Sequence, residues 1–154
     1  MSLLQRFWDK VDTSGECWRW TAGTDGNGYG RINLGGRGYG ALPAHRVAYT
    51  LTYGHIPTGL FLDHRCHNSV CVRPSHLRPV TRKENGEHRR AAQQNSSSGI
   101  RGVNRSGSSW RATAVHNGKR YTNGTYDTIA EAEQAATALR NRLFSHYDLD
   151  RVNS

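Results

Sequence analysis

Cysteine is scarce in this chain, with three in 154 residues: Cys17, Cys66 and Cys71. So small and odd a number excludes a disulfide-built scaffold and leaves the thiols for burial or metal ligation in a reducing compartment. Apolar residues are thin as well, at 35%, and no apolar run approaches the about 18 residues of a membrane span. The opening MSLLQRFWDK lacks a signal-peptide core. The expectation is an intracellular, cytoplasmic protein without membrane contact. A chain this polar has little burial with which to stabilise two cores, and a structural metal is one remedy. Acidic residues are the last shortage: 12 Asp+Glu against 21 Lys+Arg give a formal charge of +9. That imbalance favours a polyanionic partner, nucleic acid above all, although a merely soluble basic protein has the same charge.

Histidine and cysteine concentrate in one place. Residues 63–85, DHRCHNSVCVRPSHLRPVTRKEN, contain Asp63, His64, Cys66, Cys71, His76 and Asn85. Cys66, Cys71 and His76 follow one another at intervals of five, which suits a loop wrapped around a tetrahedral metal, zinc for thiolate and imidazole ligands. LFLDH reads as a short buried strand ending on Asp63 and His64, LRPVT as a second strand, and TRKENGEHRRAAQQ as a polar helix carrying Asn85. Such a strand, loop, strand and helix would bring His64 and Asn85 together. Cys17 is either a free buried cysteine or the fourth ligand of a Cys3His zinc site.

The stretch resembles the ββα-metal (His-Me finger) fold of HNH endonucleases, in particular the His-Cys box homing endonucleases. Their pattern, His-x-Cys-x4-Cys-x4-His and then Asn, is matched by His64, Cys66, Cys71, His76 and Asn85. Asp63 departs from the His-Cys box and matches the Asp-His pair of HNH enzymes. The resemblance covers broadly residues 14–90. It implies a structural zinc, with one ligand from an upstream strand as Cys17 would supply. It also implies a separate catalytic Mg²⁺, replaceable by Mn²⁺, on Asp63 and Asn85, with His64 as general base. An imidazole with a reference pKa of about 6.5 is largely neutral at pH 7 and suits that task. The competing arrangement makes His64 and His67 further zinc ligands of a non-catalytic binding module, and leaves Asp63 and Asn85 without a role.

Elsewhere, LLQRFWDKV (residues 3–11) has the spacing of an amphipathic helix. CWRWTAGTDGNGYGRINLGGRGYGAL reads as a twisted hairpin or meander. Arg31 and Arg37 on it are either solvated surface charges or side chains that reach base edges in a major groove, the task of an upstream sheet in the resembling enzymes. PAHRVAYTLTYGHIP reads as a helix opened by Pro43, with Val47, Ala48 and Leu51 inward, and ended by Gly54 and Pro57. Many HNH-like sequences have a similar His-Arg there, which makes Arg46 the candidate to grip the scissile phosphate; the alternative is an ordinary surface arginine.

Beyond the Ser-rich AAQQNSSSG, strands are expected at 99–103, at WRATAV and at RYTNGTYD, with HNGK as a turn. Thr128 and Glu131 form a capping box for a helix whose inner face is Ala132, Ala135, Ala136, Leu139 and Leu143. With RGV, WRA and GTYDTIAEAEQAA, residues 98–145 resemble the Apetala/ERF-type DNA-binding domain, whose sheet lies in the major groove. The matching positions are Arg101, Arg105, Trp110, Arg111 and Arg120, with Lys119 and Tyr121 beside them; Trp110 could instead be core. Alternation along the strands is expected to leave the basic residues on one solvent face.

The expected fold class is α+β: a zinc-stabilised ββα-metal nuclease domain (1–92), a linker (93–98), a small three-stranded antiparallel sheet packed on one helix (99–145), and a tail (146–154). The expected function is a metal-dependent endonuclease acting on double-stranded DNA, of homing type, with a phage or mobile-element origin by analogy. A restriction-type enzyme of the same chemistry and a non-catalytic zinc-containing regulator are the alternatives. One active site per chain would need a homodimer, or two visits, for a double-strand break.

Overall fold

The structure, a computed structural model, describes residues 2–33, 35, 40–88, 92 and 96–144. Arg37, much of the expected linker and the tail lie outside the described residues. Contacts divide the chain into two compact units after Arg82. That division comes ahead of the Ser-rich stretch expected to separate the domains. Both units mix helices with small antiparallel sheets, an α+β architecture. No described helix is long and apolar enough to cross a membrane.

The first unit opens with α1 (Leu3–Trp8), capped reciprocally by Ser2 and Gln5. It ends earlier than its periodicity predicts. Val11 instead pairs with Trp20 across β1 (Val11–Asp12) and β2 (Arg19–Trp20), which packs it against a core of Phe7, Trp20, Ile32, Ala44, Val47, Ala48 and Val72. Tertiary burial overrides local helical spacing here. β3 (Arg31–Asn33) and β4 (Ala41–Pro43) form a hairpin entered through Gly30, where a Cβ would stand 2.6 Å from the Trp20 ring. Pro43 is the N-cap of α2 (Ala44–Tyr53), and Gly54 ends it at φ 83°. The buried stripe of α2 is Ala44, His45, Val47 and Ala48, whereas Leu51, expected inside, is 42% exposed because burial stops before the last turns. β5 (Phe61–His64) and β6 (Leu77–Val80) pair antiparallel with Asp63 opposite Arg78, and a 3-10 turn (Pro74–His76) leads into β6. α3 (Arg82–Glu87) begins on the last residue of this unit.

The second unit is a sheet in the order β7 (Val103–Ser106), β8 (Ser109–His116), β9 (Lys119–Tyr126), covered on one face by α4 (Ile129–Leu143). Its first strand begins at Val103 and not at residue 99. Gly99 and Gly102 take positive φ, 69° and 80°, which is turn and not strand geometry, and a Cβ on Gly102 would strike the Thr113 carbonyl. Asn117 and Gly118, both at positive φ, make the β8–β9 turn. The Thr128–Glu131 capping box is present. Ala132, Ala135 and Ala136 bring α4 down onto Val103 and Ala112, and Leu139 meets Ala114 and Phe144.

Side-chain alternation splits the expected basic face. Trp110 lies on the helix side, packed on the Val103–Ala112 core, with the Arg105 guanidinium 5.2 Å over its ring. Lys119 sits 5.5 Å from the ring of Tyr121, which packs on the Ala114–Leu139 cluster. The open face holds Asn104 opposite Arg111 and Val115 opposite Arg120, while Thr113, beyond a register shift after Arg111, is buried.

Candidate metal centre and active site

The loop between β5 and β6 lies along β2. The Trp20 amide donates to the Val70 carbonyl at 2.9 Å and the Val72 amide to the Trp18 carbonyl at 2.8 Å. Arg73 Nη1 donates to the Glu16 carbonyl at 2.7 Å while its guanidinium lies 5.9 Å from the Trp18 ring. This seam brings Cys17 to the loop from more than forty residues upstream. The ligand atoms of Cys17, Cys66, Cys71 and His76 all lie within 4.8 Å of one another. His76 Nδ1 is 3.7 Å from both Cys17 Sγ and Cys71 Sγ. Zinc bonds of about 2.3 Å to sulfur and 2.0 Å to nitrogen put such atoms roughly 3.5 Å apart around a tetrahedron. The donor set fits zinc in number, chemistry and spacing. The hydrogen bond between the two thiols lowers the pKa of Cys66 and raises that of Cys71, which favours the thiolate at Cys66.

The same loop orients His64. His64 is 6% exposed, and its Nε2 lies 2.9 Å from the Cys71 carbonyl oxygen. A carbonyl only accepts, so Nε2 carries the ring hydrogen and Nδ1 keeps its lone pair. Burial lowers the His64 pKa, partly opposed by the bond to Cys71, and this keeps the ring neutral near pH 7. Cys71 thus contributes its thiol to the metal cluster and its carbonyl to the histidine.

Two neighbours complete the surroundings of His64. The His45 ring centroid is 4.8 Å away, and Tyr29 lies 5.4 Å from His45 and 5.8 Å from His64. His45 is buried, its Nδ1 has no hydrogen-bond partner among the described residues, and desolvation, ahead of proximity to the His64 ring, drives its pKa down to about 3. Asp63, also buried, receives Nε and Nη2 of Arg78 on the same carboxylate oxygen, each at 3.1 Å. That pairing follows from the hairpin register, which sets Asp63 opposite Arg78.

The expected residues are therefore distributed unevenly. Asp63, His64, Cys17, Cys66, Cys71 and His76 gather in the first unit around the β5–β6 hairpin. Arg46 is exposed on α2 beside a groove lined by Leu42, Val47 and Leu51, and the residue before it, His45, meets His64. Arg31 pairs with Asp25 at 4.0 Å. Asn85 is exposed on α3, in the portion assigned to the second unit. Arg101 gives its guanidinium to the carbonyls of Glu87 and Gly86. His45 had a sequence signal, since it stands three residues before the inward Ala48. Tyr29 had none.

Residues 42–87 match the family model described as HNH endonuclease. The chain is 39% identical over 72 residues to Protein 7.7 of Escherichia phage T7, covering 47% of this chain and 53% of that one. It is 33% identical over 86 residues to Protein 2.8 of the same phage, covering 55% and 58%. It is 30% identical over 122 residues to the uncharacterized HNH endonuclease L560 of Acanthamoeba polyphaga mimivirus, covering 74% and 63%. The chain spans between half and two thirds of the length of these relatives. No solved structure matches it. The family match and the mimivirus relative support the HNH endonuclease family for the segment that contains the β5–β6 hairpin, and an α+β chain with a Cys3His cluster able to bind zinc.

Proposed function

We propose that the protein is an endonuclease that hydrolyses phosphodiester bonds of double-stranded DNA with His64 as general base. The observation that carries this reading is the hydrogen bond from His64 Nε2 to the Cys71 carbonyl, which leaves Nδ1 as a proton acceptor within an HNH-matching segment. In the proposed reaction Nδ1 takes a proton from the attacking water as it approaches phosphorus. His45 and Tyr29 hold the imidazole ring from the sides, and Arg46 reaches for the scissile phosphate. Asp63 and Asn85 supply hard oxygen atoms suited to Mg²⁺ or Mn²⁺, and a cation bound there provides charge for the phosphate and the leaving oxygen. Cys17, Cys66, Cys71 and His76 would hold zinc, and four protein ligands would give that metal a structural role.

The open sheet face of the second unit, with Arg111, Arg120, Asn104 and Thr122, is read as a DNA surface, with Arg105, Trp110 and Lys119 at its margins. Arg31 on β3 extends DNA contact in the first unit, and Arg37, outside the described residues, is proposed for the same role from sequence. Similarity to two phage T7 proteins supports a phage setting inside an infected cell, and a homing role is the biological reading favoured over restriction. A double-strand break calls for two copies or two visits. Incubation of supercoiled plasmid with Mg²⁺ or Mn²⁺ tests the proposal. Wild type is expected to nick or cut. His64→Ala should lower the rate by about 10²–10⁴-fold with zinc content and DNA affinity retained. Absence of cleavage by wild type on diverse DNA would leave a zinc-containing DNA-binding regulator.

A further inference from the structure

The HNH match ends at residue 87, beyond the boundary at Arg82. Its last element, α3, is held by the second unit. Glu87 is 6% exposed, and its Oε1 lies 2.9 Å from His116 Nδ1 and 3.8 Å from Lys83 Nζ. Arg101 donates from Nη1 to the Glu87 carbonyl at 2.8 Å and from Nη2 to the Gly86 carbonyl at 3.3 Å. Those are carbonyls at a helix C-terminus, which lack intrahelical donors. Arg101 and His116 both pack on Phe144, with separations of 5.4 and 5.9 Å, and Arg140 Nη1 donates to the Arg101 carbonyl at 2.7 Å. A helix of six residues does not sustain itself in water. The clamp from β8, α4 and the residues before β7 supplies what it lacks.

We infer that Arg101 and His116 are positioning residues for Asn85, fixing the short helix that carries it. This rests on the nuclease reading above. It also moves Arg101 out of the set of DNA contacts, because its guanidinium is occupied by two carbonyls. The pertinent variants are Arg101→Met and His116→Phe, which keep bulk against Phe144 and remove the polar contacts. Single-turnover cleavage at saturating DNA should fall about 10- to 100-fold, the usual range for groups that orient a metal ligand. DNA affinity and zinc content should stay at wild-type values, and Arg101→Lys, which retains a donor, should recover part of the rate.

In an Asn85→Ala background the same substitutions should add no further loss, because they act through that residue. Fully additive losses, or wild-type rates in the variants, would overturn the inference. Amide hydrogen exchange across residues 83–88 gives a readout independent of cleavage. It should accelerate in the double variant Arg101→Met/His116→Phe while β8 stays protected. Unchanged exchange would remove the clamp itself. A wild-type protein that cuts no DNA would instead sink the nuclease reading, and the exchange result alone would then decide whether the clamp exists.

Discussion

The two units solve the problem of a small core in opposite ways. The first has strands of two to four residues and gathers distant segments around a Cys3His cluster. The second has two eight-residue strands and a fifteen-residue capped helix with an alanine face. Ladder hydrogen bonds and close helix–sheet packing sustain the second from within. The first depends on a few long-range ties, and its reactive groups lie on those ties. A scaffold of short strands can bring distant cysteines and histidines to one loop, where a Cys3His cluster is able to take a cation that ties them.

The sharpest way to break this comparison is to take the metal away. Structural zinc contributes about 10–16 kcal/mol to folding in small zinc domains. Strong chelation, or Cys66→Ser, should therefore abolish amide protection in β2, β5 and β6 while β8 and α4 keep theirs. Loss of both units together in a hydrogen-exchange experiment would show that the contrast is false. A smaller effect concerns binding. Arg111→Ala/Arg120→Ala should weaken DNA binding across sequences and flatten the log–log salt dependence by about one unit per lost phosphate contact. An unchanged slope would remove those two residues from the phosphate-contacting surface. The smallest effect is local to the second unit: Thr128→Ala removes the N-cap of α4 and should lower its stability by about 1 kcal/mol. Chelation-sensitive signals from the first unit should not move, and a shift in zinc affinity in that variant would argue against independent stabilisation.

What could be read from the residues alone was local or was forced by scarcity. Cys66, Cys71 and His76 announce a metal loop by spacing, and Cys17 completes the set because the chain offers no other thiol. The Thr128 capping box and the alanine face of α4 are likewise short-range patterns. What escaped depends on which segments pack together. Val11 continues a helical period, yet it is drawn into a strand pair with Trp20. Leu51 has the right spacing for the core, but the core ends a turn earlier. His45 meets His64 only because α2 packs beside the β5–β6 hairpin. The Apetala-like segment displays basic residues in alternation, and the β7–β8–β9 register then assigns Arg111 and Arg120 to one side and Trp110 to the other. α3 follows the hairpin in sequence, but contacts with Arg101 and His116 give it to the second unit.

Cys71 has a consequence of its own. One residue's sulfur belongs to the Cys3His cluster while its backbone oxygen selects the tautomer of the His64 imidazole. Under the proposed chemistry, a change at that sulfur would reach the base through the backbone of the same residue, without touching the imidazole. Fold and reactivity would then share a single residue, so that the ligand set and the base stand or fall together.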